Sequence, residues 1–242
     1  MLNHALNLLQ ASNVNPLIIA ASLYFLVIYT LFALLTSLLA KLVKQPISTK
    51  PLPPKQVRTE ILRSIRSILL FGAGMLLPWT MIKFGIAGVT IEANLPIIMM
   101  ECLLLIVWND LHFYVMHRFM HHQLKKAHGV HHQSIVSTPF ASYSMSMTEA
   151  LLLGSVMPLI MPFHTFSLQA LLFLPIWSIL INSLAHSNCN LFAKASANSM
   201  LGFIKHHQNH HSYYQGNYSF FFPHLDRWFG TAQAQKGKHD PI

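Results

Sequence analysis

Five apolar stretches are spaced along the chain, and the polar segments between them differ in character. Leu17 to Leu39 is uncharged. As a helix rising ~1.5 Å per residue it is long enough for a hydrocarbon core of ~30 Å. No Lys or Arg precedes it, and Lys41 and Lys44 follow it, the reverse of a cleaved signal peptide. The pattern predicts a retained first span with its N-terminus outside. Residues 41–66 then form a basic connector carrying Pro46, Pro51, Pro53 and Pro54, which reads as a loop and, by its charges, as a cytoplasmic one. Ser67 to Ile82 is a second apolar run, short for a span, between Arg66 and Lys83. A polar connector from Gly85 to Asn94 should lie outside.

Leu95 to Trp108 is the third run and continues without a breaker into Asn109, Asp110 and the first histidines. Glu101 sits in its middle, and a carboxylate at membrane depth is either functional or held by neighbouring helices. Residues 123–147 are polar without a strong period. Ala150–Phe163 and Ser167–Ala185 are the last two runs, interrupted by Pro158, Pro162 and Pro175. Whether this pair crosses fully or re-enters, the chain returns to the side it left. The expected fold is an all-α integral membrane protein with about four to five transmembrane or re-entrant helices and a cytoplasmic, histidine-rich helical cap. Residues 1–94 form the N-terminal membrane part and 95–242 the remainder, with its core at about 110–231.

Composition supports this class. The chain is 53% hydrophobic and 10% charged, against ~25% charged in soluble domains. The net charge of +9 sits beside apolar runs, so it reads as a topology signal and not as a nucleic-acid surface. Two cysteines, Cys102 and Cys189, give neither a disulfide framework nor a CxxC pair.

Nitrogen or oxygen must then carry any metal chemistry. His117 and His121 are four apart, which on a helix is one face. His128, His131 and His132 fall at i, i+3 and i+4, as do His207, His210 and His211, while His186 stands alone. Nine imidazoles exceed one ion's capacity and suit two adjacent ions. Such crowding favours neutral rings bound to metal over protonated rings that repel. Spacing leaves zinc, copper, iron and nickel open. The chain has no Glu-x-x-His or His-Glu-x-x-His motif and no Gly-x-Ser-x-Gly.

This arrangement resembles the fatty acid hydroxylase/sterol desaturase superfamily, over about Asp110 to Thr231. Flanking residues agree: Tyr114, His117-Arg118, Pro139-Phe140, Glu149, Asn217-Tyr218 and Asp226-Arg227-Trp228-Phe229-Gly230-Thr231. Ser219 and Leu225 depart from its Gly and Trp, and Asn190 stands where a tenth ligand would be expected. These departures point to the sterol-oxidase-like or a bacterial-type branch. The resemblance implies two Fe ions (zinc as a substitute in purified protein) held by His117, His121, His128, His131, His132, His186, His207, His210 and His211, with no other catalytic residue. His206 and His122 are reserve ligands, and His112 and Asp110 would support ligands. It also implies a dioxygen-dependent hydroxylase or desaturase acting on an unactivated C–H bond of a lipid. Electrons would come from an external redox protein, with Lys125, Lys126, Lys194 and Lys205 as docking charges or headgroup contacts. The membrane would be a bacterial inner membrane or the endoplasmic reticulum, although the C-terminal Lys-His-Asp-Pro-Ile is no retrieval signal. The competing class is a histidine-rich metal-binding or metal-transport membrane protein. His4, His164, His224 and His239 fall outside the pattern.

Overall fold

A computed structural model describes residues 13–134 and 136–233. The N-terminal side of the first span, His4, His239 and the C-terminal pentapeptide lie outside them. Among the described residues, four helical stretches are long and apolar enough to cross a membrane: Val14–Val43, Gln56–Lys83, Leu95–Gln123 and Leu168–Ala185. The protein is a helical membrane protein.

Helix α1 (Val14–Val43) starts where the Asn13 side chain accepts the Asn15 N–H and ends at Lys44 in the left-handed region. Its outer face shows Leu23, Val27, Leu31, Leu34 and Leu38, more than half exposed except Leu31 at 48%, as suits contact with lipid. Helix α2 (Gln56–Gly74) begins eleven residues before the apolar run that predicted it. The expectation of a loop to residue 66 is therefore corrected. The first turns of α2 carry a buried polar face, where Gln56 Nε2 donates to Glu60 and to the Val136 carbonyl, and Thr138 donates to Glu60. Hydropathy hides a helix stabilised this way.

Helix α3 (Leu76–Lys83) continues α2 after a break at Gly74–Met75. Pro78 offers no N–H to the Gly74 carbonyl four residues earlier, which accounts for the break. After the strand β1 (Val89–Thr90), helix α4 (Leu95–Gln123) runs unbroken from its Asn94 cap through the first histidines, as expected. Helix α5 (Lys125–His128) and a 3₁₀ turn at His131–Gln133 follow, so the cap is turns as well as helix. Helices α6 (Met147–Gly154) and α7 (Val156–Ile160) repeat the earlier break, with Pro158 four residues after Gly154. Strand β2 (Phe166–Ser167) pairs in parallel with β1. It leads into α8 (Leu168–Ala185), the most enclosed of the long helices. Helices α9 (Phe203–Tyr213) and α10 (His224–Trp228) complete the cap.

The β1–β2 pair fixes the depth of the α6–α8 hairpin. Its tip meets the 84–94 connector, at the end of the bundle away from the histidines. Glu101 stitches that end, accepting hydrogen bonds from His164 Nε2 at 2.8 Å and from Ser167 N at 2.9 Å, and from the Ser167 hydroxyl. Its role is structural, and His164 gains one with it. At the other end the basic connector lies against the segment after α8, with Pro46 bridging Cys189 and Ile47 N–H donating to Asn188 O. One core cluster joins Ile28, Tyr29, Ile68, Tyr143, Met145, Ala150 and Ile179, drawn from both sides of residue 94.

Candidate metal centre

Four pieces of chain deliver the nine histidines: the last turns of α4, the α5–3₁₀ turn, the end of α8, and α9. They form two groups in which one nitrogen from each residue lies within 4.8 Å of the others. His117, His121, His128, His132 and His210 make the first group, and His131, His186, His207 and His211 the second. The sequence motifs are split between them. His131 leaves its neighbours 128 and 132, and His210 leaves 207 and 211. The expectation that each i, i+3, i+4 set serves as one face is corrected: the i and i+4 members stay together and the i+3 member crosses over. In the first set the α-helix gives way at Gly129–Val130 to a turn and then to the 3₁₀ segment His131–Gln133, which allows this. In α9 the 3.6-residue period keeps 207 and 211 about 40° apart and turns 210 to their flank, about 60° from 207 and 100° from 211.

The Nε2 atoms converge. In the first group His117–His128 is 3.1 Å, His121–His210 3.0 Å, His128–His132 3.0 Å and His132–His210 3.2 Å. In the second, His131–His186 is 3.2 Å, His186–His207 3.1 Å and His207–His211 3.1 Å. Nitrogens ~2.1 Å from a shared ion and at right angles would be ~3.0 Å apart.

The opposite ring nitrogens are tied down. Nδ1–H of His117 donates to Tyr218 O at 2.8 Å, that of His128 to Glu149 Oε1 at 2.9 Å, and that of His131 to Ser144 O at 3.2 Å. His186 donates to Asn182 O at 2.9 Å and His210 to Gly216 O at 2.7 Å. With the proton held on Nδ1, Nε2 carries only a lone pair. His117 and His128 thus face each other, as do His131 and His186, acceptor to acceptor. A cation between them satisfies that arrangement, and nothing else in the donor set does. Burial also keeps the rings neutral, pushing His128 and His186 down to about 3 and holding His131, His132, His207, His210 and His211 below the ordinary histidine value. Neutral imidazole is the ligating form.

The supporting residues differ from those expected. His206 is fully buried and its Nε2 donates to Asp226 Oδ2 at 2.9 Å, so it stands outside both groups. His122 is exposed and also outside. Asp110 orients no imidazole; it accepts backbone N–H bonds from Phe221 at 2.7 Å and Phe222 at 3.0 Å. His112 supports no ligand and meets Ser155 Oγ at 3.1 Å within the membrane part.

Two carboxylates absent from the expected site do this work. Glu149 holds His128 directly. Asp226 accepts from Tyr218 N, Ser219 N and the Thr231 hydroxyl at 2.6–2.8 Å, and so places the segment whose Tyr218 and Gly216 carbonyls orient His117 and His210. For Asp226, burial would raise the carboxyl, but hydrogen bonds from His206, Ser219 and Thr231 outweigh it and hold the group at about 2. Glu149 and Asp226 both stood in the flanking resemblance. Only their contacts were illegible.

Beneath the histidines lies a gap of about 10 Å³ lined by members of both groups, with Phe113, Met145, Leu153 and Asn182. Those four residues also line an apolar cavity of about 300 Å³ between α2, α4, α6 and α8, in the size range of small-molecule sites.

The fold and the site together define a membrane helix bundle capped by a polyhistidine centre able to hold two metal ions. The fatty acid hydroxylase family model matches residues 102–231, more than half of the chain, and the protein belongs to that family. It is similar to a Delta(7)-sterol 5(6)-desaturase of Aspergillus fumigatus, with 28% identity over 220 residues, 78% of this chain and 67% of the relative. A Delta(7)-sterol 5(6)-desaturase of Schizosaccharomyces pombe is 29% identical over 137 residues, 54% of this chain and 43% of the relative. One of Gibberella zeae is 31% identical over 134 residues, 53% of this chain and 36% of the relative. The chain thus spans about half or less of the length of most of these relatives. No solved structure matches it.

Proposed function

We propose that this protein is a membrane-bound di-iron oxygenase that hydroxylates or desaturates an unactivated C–H bond of a lipid. The observation that carries the reading is the placing of an apolar, membrane-level cavity directly below two interleaved histidine groups. The relatives' name, sterol 5(6)-desaturase, suggests a sterol or sterol-like substrate. His117, His121, His128, His132 and His210 would hold one ion, and His131, His186, His207 and His211 the other. When bound, the iron pair supplies the dioxygen-dependent oxidation that no side chain can perform on such a bond.

The chain's own residues do the rest. Tyr218, Gly216, Glu149, Ser144 and Asn182 hold five rings with Nε2 inward. Phe113, Met145 and Leu153 form the dry wall between lipid and metals. Two electrons come from an external redox protein, and the exposed Lys125 and Lys126 beside the first histidine group are docking charges for an acidic donor. The histidine cap faces the cytoplasm on this reading, because the basic 44–55 connector lies at the same end. The alternative of metal transport needs ligands strung along a path through the bilayer, whereas these nine cluster at one end.

The test is metal content and oxygen uptake of the purified, iron-reconstituted protein in lipid. Two irons per chain with lipid-dependent oxygen uptake are expected. A single ion, or two zinc ions with hydrolytic activity and no oxygen uptake after iron loading, would overturn the assignment.

A further inference from the structure

The two helix breaks frame the same cavity. Gly74 and Pro78 line it from the α2–α3 side, and Gly154 and Pro158 from the α6–α7 side. Each Gly-x-x-x-Pro segment interrupts its helix at the cavity, whose lining also includes the exposed Leu77 and Leu151. Among the described residues, no Lys, Arg, Asp or Glu lines this cavity. An apolar body can therefore enter from the bilayer, but nothing there would neutralise a carboxylate, phosphate or ammonium group.

Polar atoms occur at the metal end. Asn182 lies on α8, one turn before His186, and lines both the cavity and the gap under the histidines. It is 8% exposed, and its side-chain Oδ1 is buried without a hydrogen-bond partner. A buried amide oxygen without a partner costs ~1–3 kcal/mol, so this amide lacks part of its hydrogen bonding at the edge of the cavity. His112 faces the cavity from α4. The Ser155 hydroxyl donates to Leu152 O at 2.7 Å, so at 3.1 Å it receives the Nε2–H of His112. His112 Nδ1 is then a free acceptor with no protein partner among the described residues.

We propose that Asn182 and His112 form a hydroxyl-reading site, so that the lipid enters with its alcohol end toward the metals and its apolar body in the cavity. This rests on the lipid-oxygenase reading and narrows its substrate class. An alcohol donates one hydrogen bond and accepts others; the Asn182 amide offers it a donor and an acceptor, and the His112 imidazole nitrogen an acceptor. A free fatty acid anion, a phosphate headgroup or a sphingoid ammonium does not fit. Because Asn182 borders the gap beneath both histidine groups, the bond oxidised lies within a few bonds of the alcohol carbon. The amphiphile keeps the orientation it has in the leaflet on the cap side, with its hydroxyl under the cap and its apolar body at membrane level.

The test is equilibrium binding to the full chain in nanodiscs, using a radiolabelled 3-hydroxysterol, its O-methyl ether and the 3-deoxy hydrocarbon. Wild type should prefer the alcohol over both others by about tenfold, the size of one buried hydrogen bond. Asn182→Leu and His112→Leu should each bring the three affinities within about threefold while hydrocarbon binding is kept or strengthened. Equal affinities in wild type, or a preference that survives both substitutions, would overturn the site, as would no binding of any of the three. The wild-type ligand series decides the matter even if a variant fails to fold. Metal content and oxygen uptake on the same preparations separate the two readings: selective binding without oxygen uptake would sink the oxygenase and leave the hydroxyl site standing.

Discussion

Replacing Asp226 by Asn tests whether one carboxylate outside both histidine groups sets the geometry of the first. Asp226 is fully buried. Its Oδ1 accepts from Tyr218 N at 2.8 Å and from the Thr231 hydroxyl at 2.6 Å. Its Oδ2 accepts from His206 Nε2 at 2.9 Å, from Ser219 N at 2.7 Å and from the Ser219 hydroxyl. Whichever oxygen becomes NH₂, one fixed backbone N–H faces a donor and at least one side-chain donor must turn away. Each buried donor left without an acceptor costs ~1–3 kcal/mol, so the loss is about 2–5 kcal/mol. In a chain of this size that lowers the thermal midpoint by about 5–15 °C. Tyr218 O no longer holds His117 in place, and losing such a support typically weakens metal binding ~10–100-fold. The assay is thermal unfolding in detergent with metal content measured on the same sample. Glu101→Gln is the control: Glu101 is also a hydrogen-bonded, buried carboxylate but stitches the far end, so its loss should lower the midpoint and leave metal content unchanged. A midpoint within about 2 °C of wild type for Asp226→Asn, with full metal content, would refute the reasoning.

Glu149→Ala removes the acceptor of His128 Nδ1. Metal occupancy of the five-histidine group should fall ~10–100-fold in affinity, read by titration with iron or zinc, while Glu149→Gln, which keeps an acceptor, should retain most of it. Stability of the metal-free protein should drop as pH falls below the free-histidine value of ~6.5. His128 and His186 sit at about 3 when folded, so the unfolded chain binds more protons between these limits. At pH 5 each costs on the order of 2 kcal/mol relative to pH 8, and a flat melting profile from pH 8 to pH 5 would contradict the neutral, buried assignment. Gly74→Phe places a ring in the cavity mouth, where a Cβ meets nothing within 4 Å. Lipid binding should fall more than tenfold with metal content unchanged, and unaltered binding would put the entry elsewhere.

The membrane class and the gathering of the nine histidines were legible because each rests on a local quantity. Leu17–Leu39 announces a span by hydropathy alone, and nine histidines, eight of them at helical spacings, announce a ligand set by residue type. What stayed hidden depends on tertiary contacts. The start of α2 at Gln56 is stabilised by a buried Gln56–Glu60–Thr138 network that looks, in sequence, like part of a charged loop. Asp110 stands two residues before a histidine and suggests an imidazole partner, yet its partners are backbone amides 111 and 112 residues away. The two Gly-x-x-x-Pro breaks were visible as isolated residues, but their shared cavity is a fact of packing.

The crossing over of His131 and His210 has a mechanical consequence. If each local motif built its own site, the two ions would sit on separate elements and could drift apart. Here the turn 128–132 contributes to both groups, and so does α9. His132 and His211 ring centroids are 4.6 Å apart across the boundary, and His131 and His132 are 5.8 Å apart on one turn. Any displacement of α9 therefore moves histidines of both groups together, because the 3.6-residue period of one helix fixes their spacing. A site that needs two ions to share one small gap benefits from this coupling, because the gap keeps its shape while the cap as a whole shifts. It follows that the supports of one group are supports of the other. Asp226, which reaches His117 through Tyr218 and His210 through Gly216, braces α9 and with it His207 and His211 of the second group.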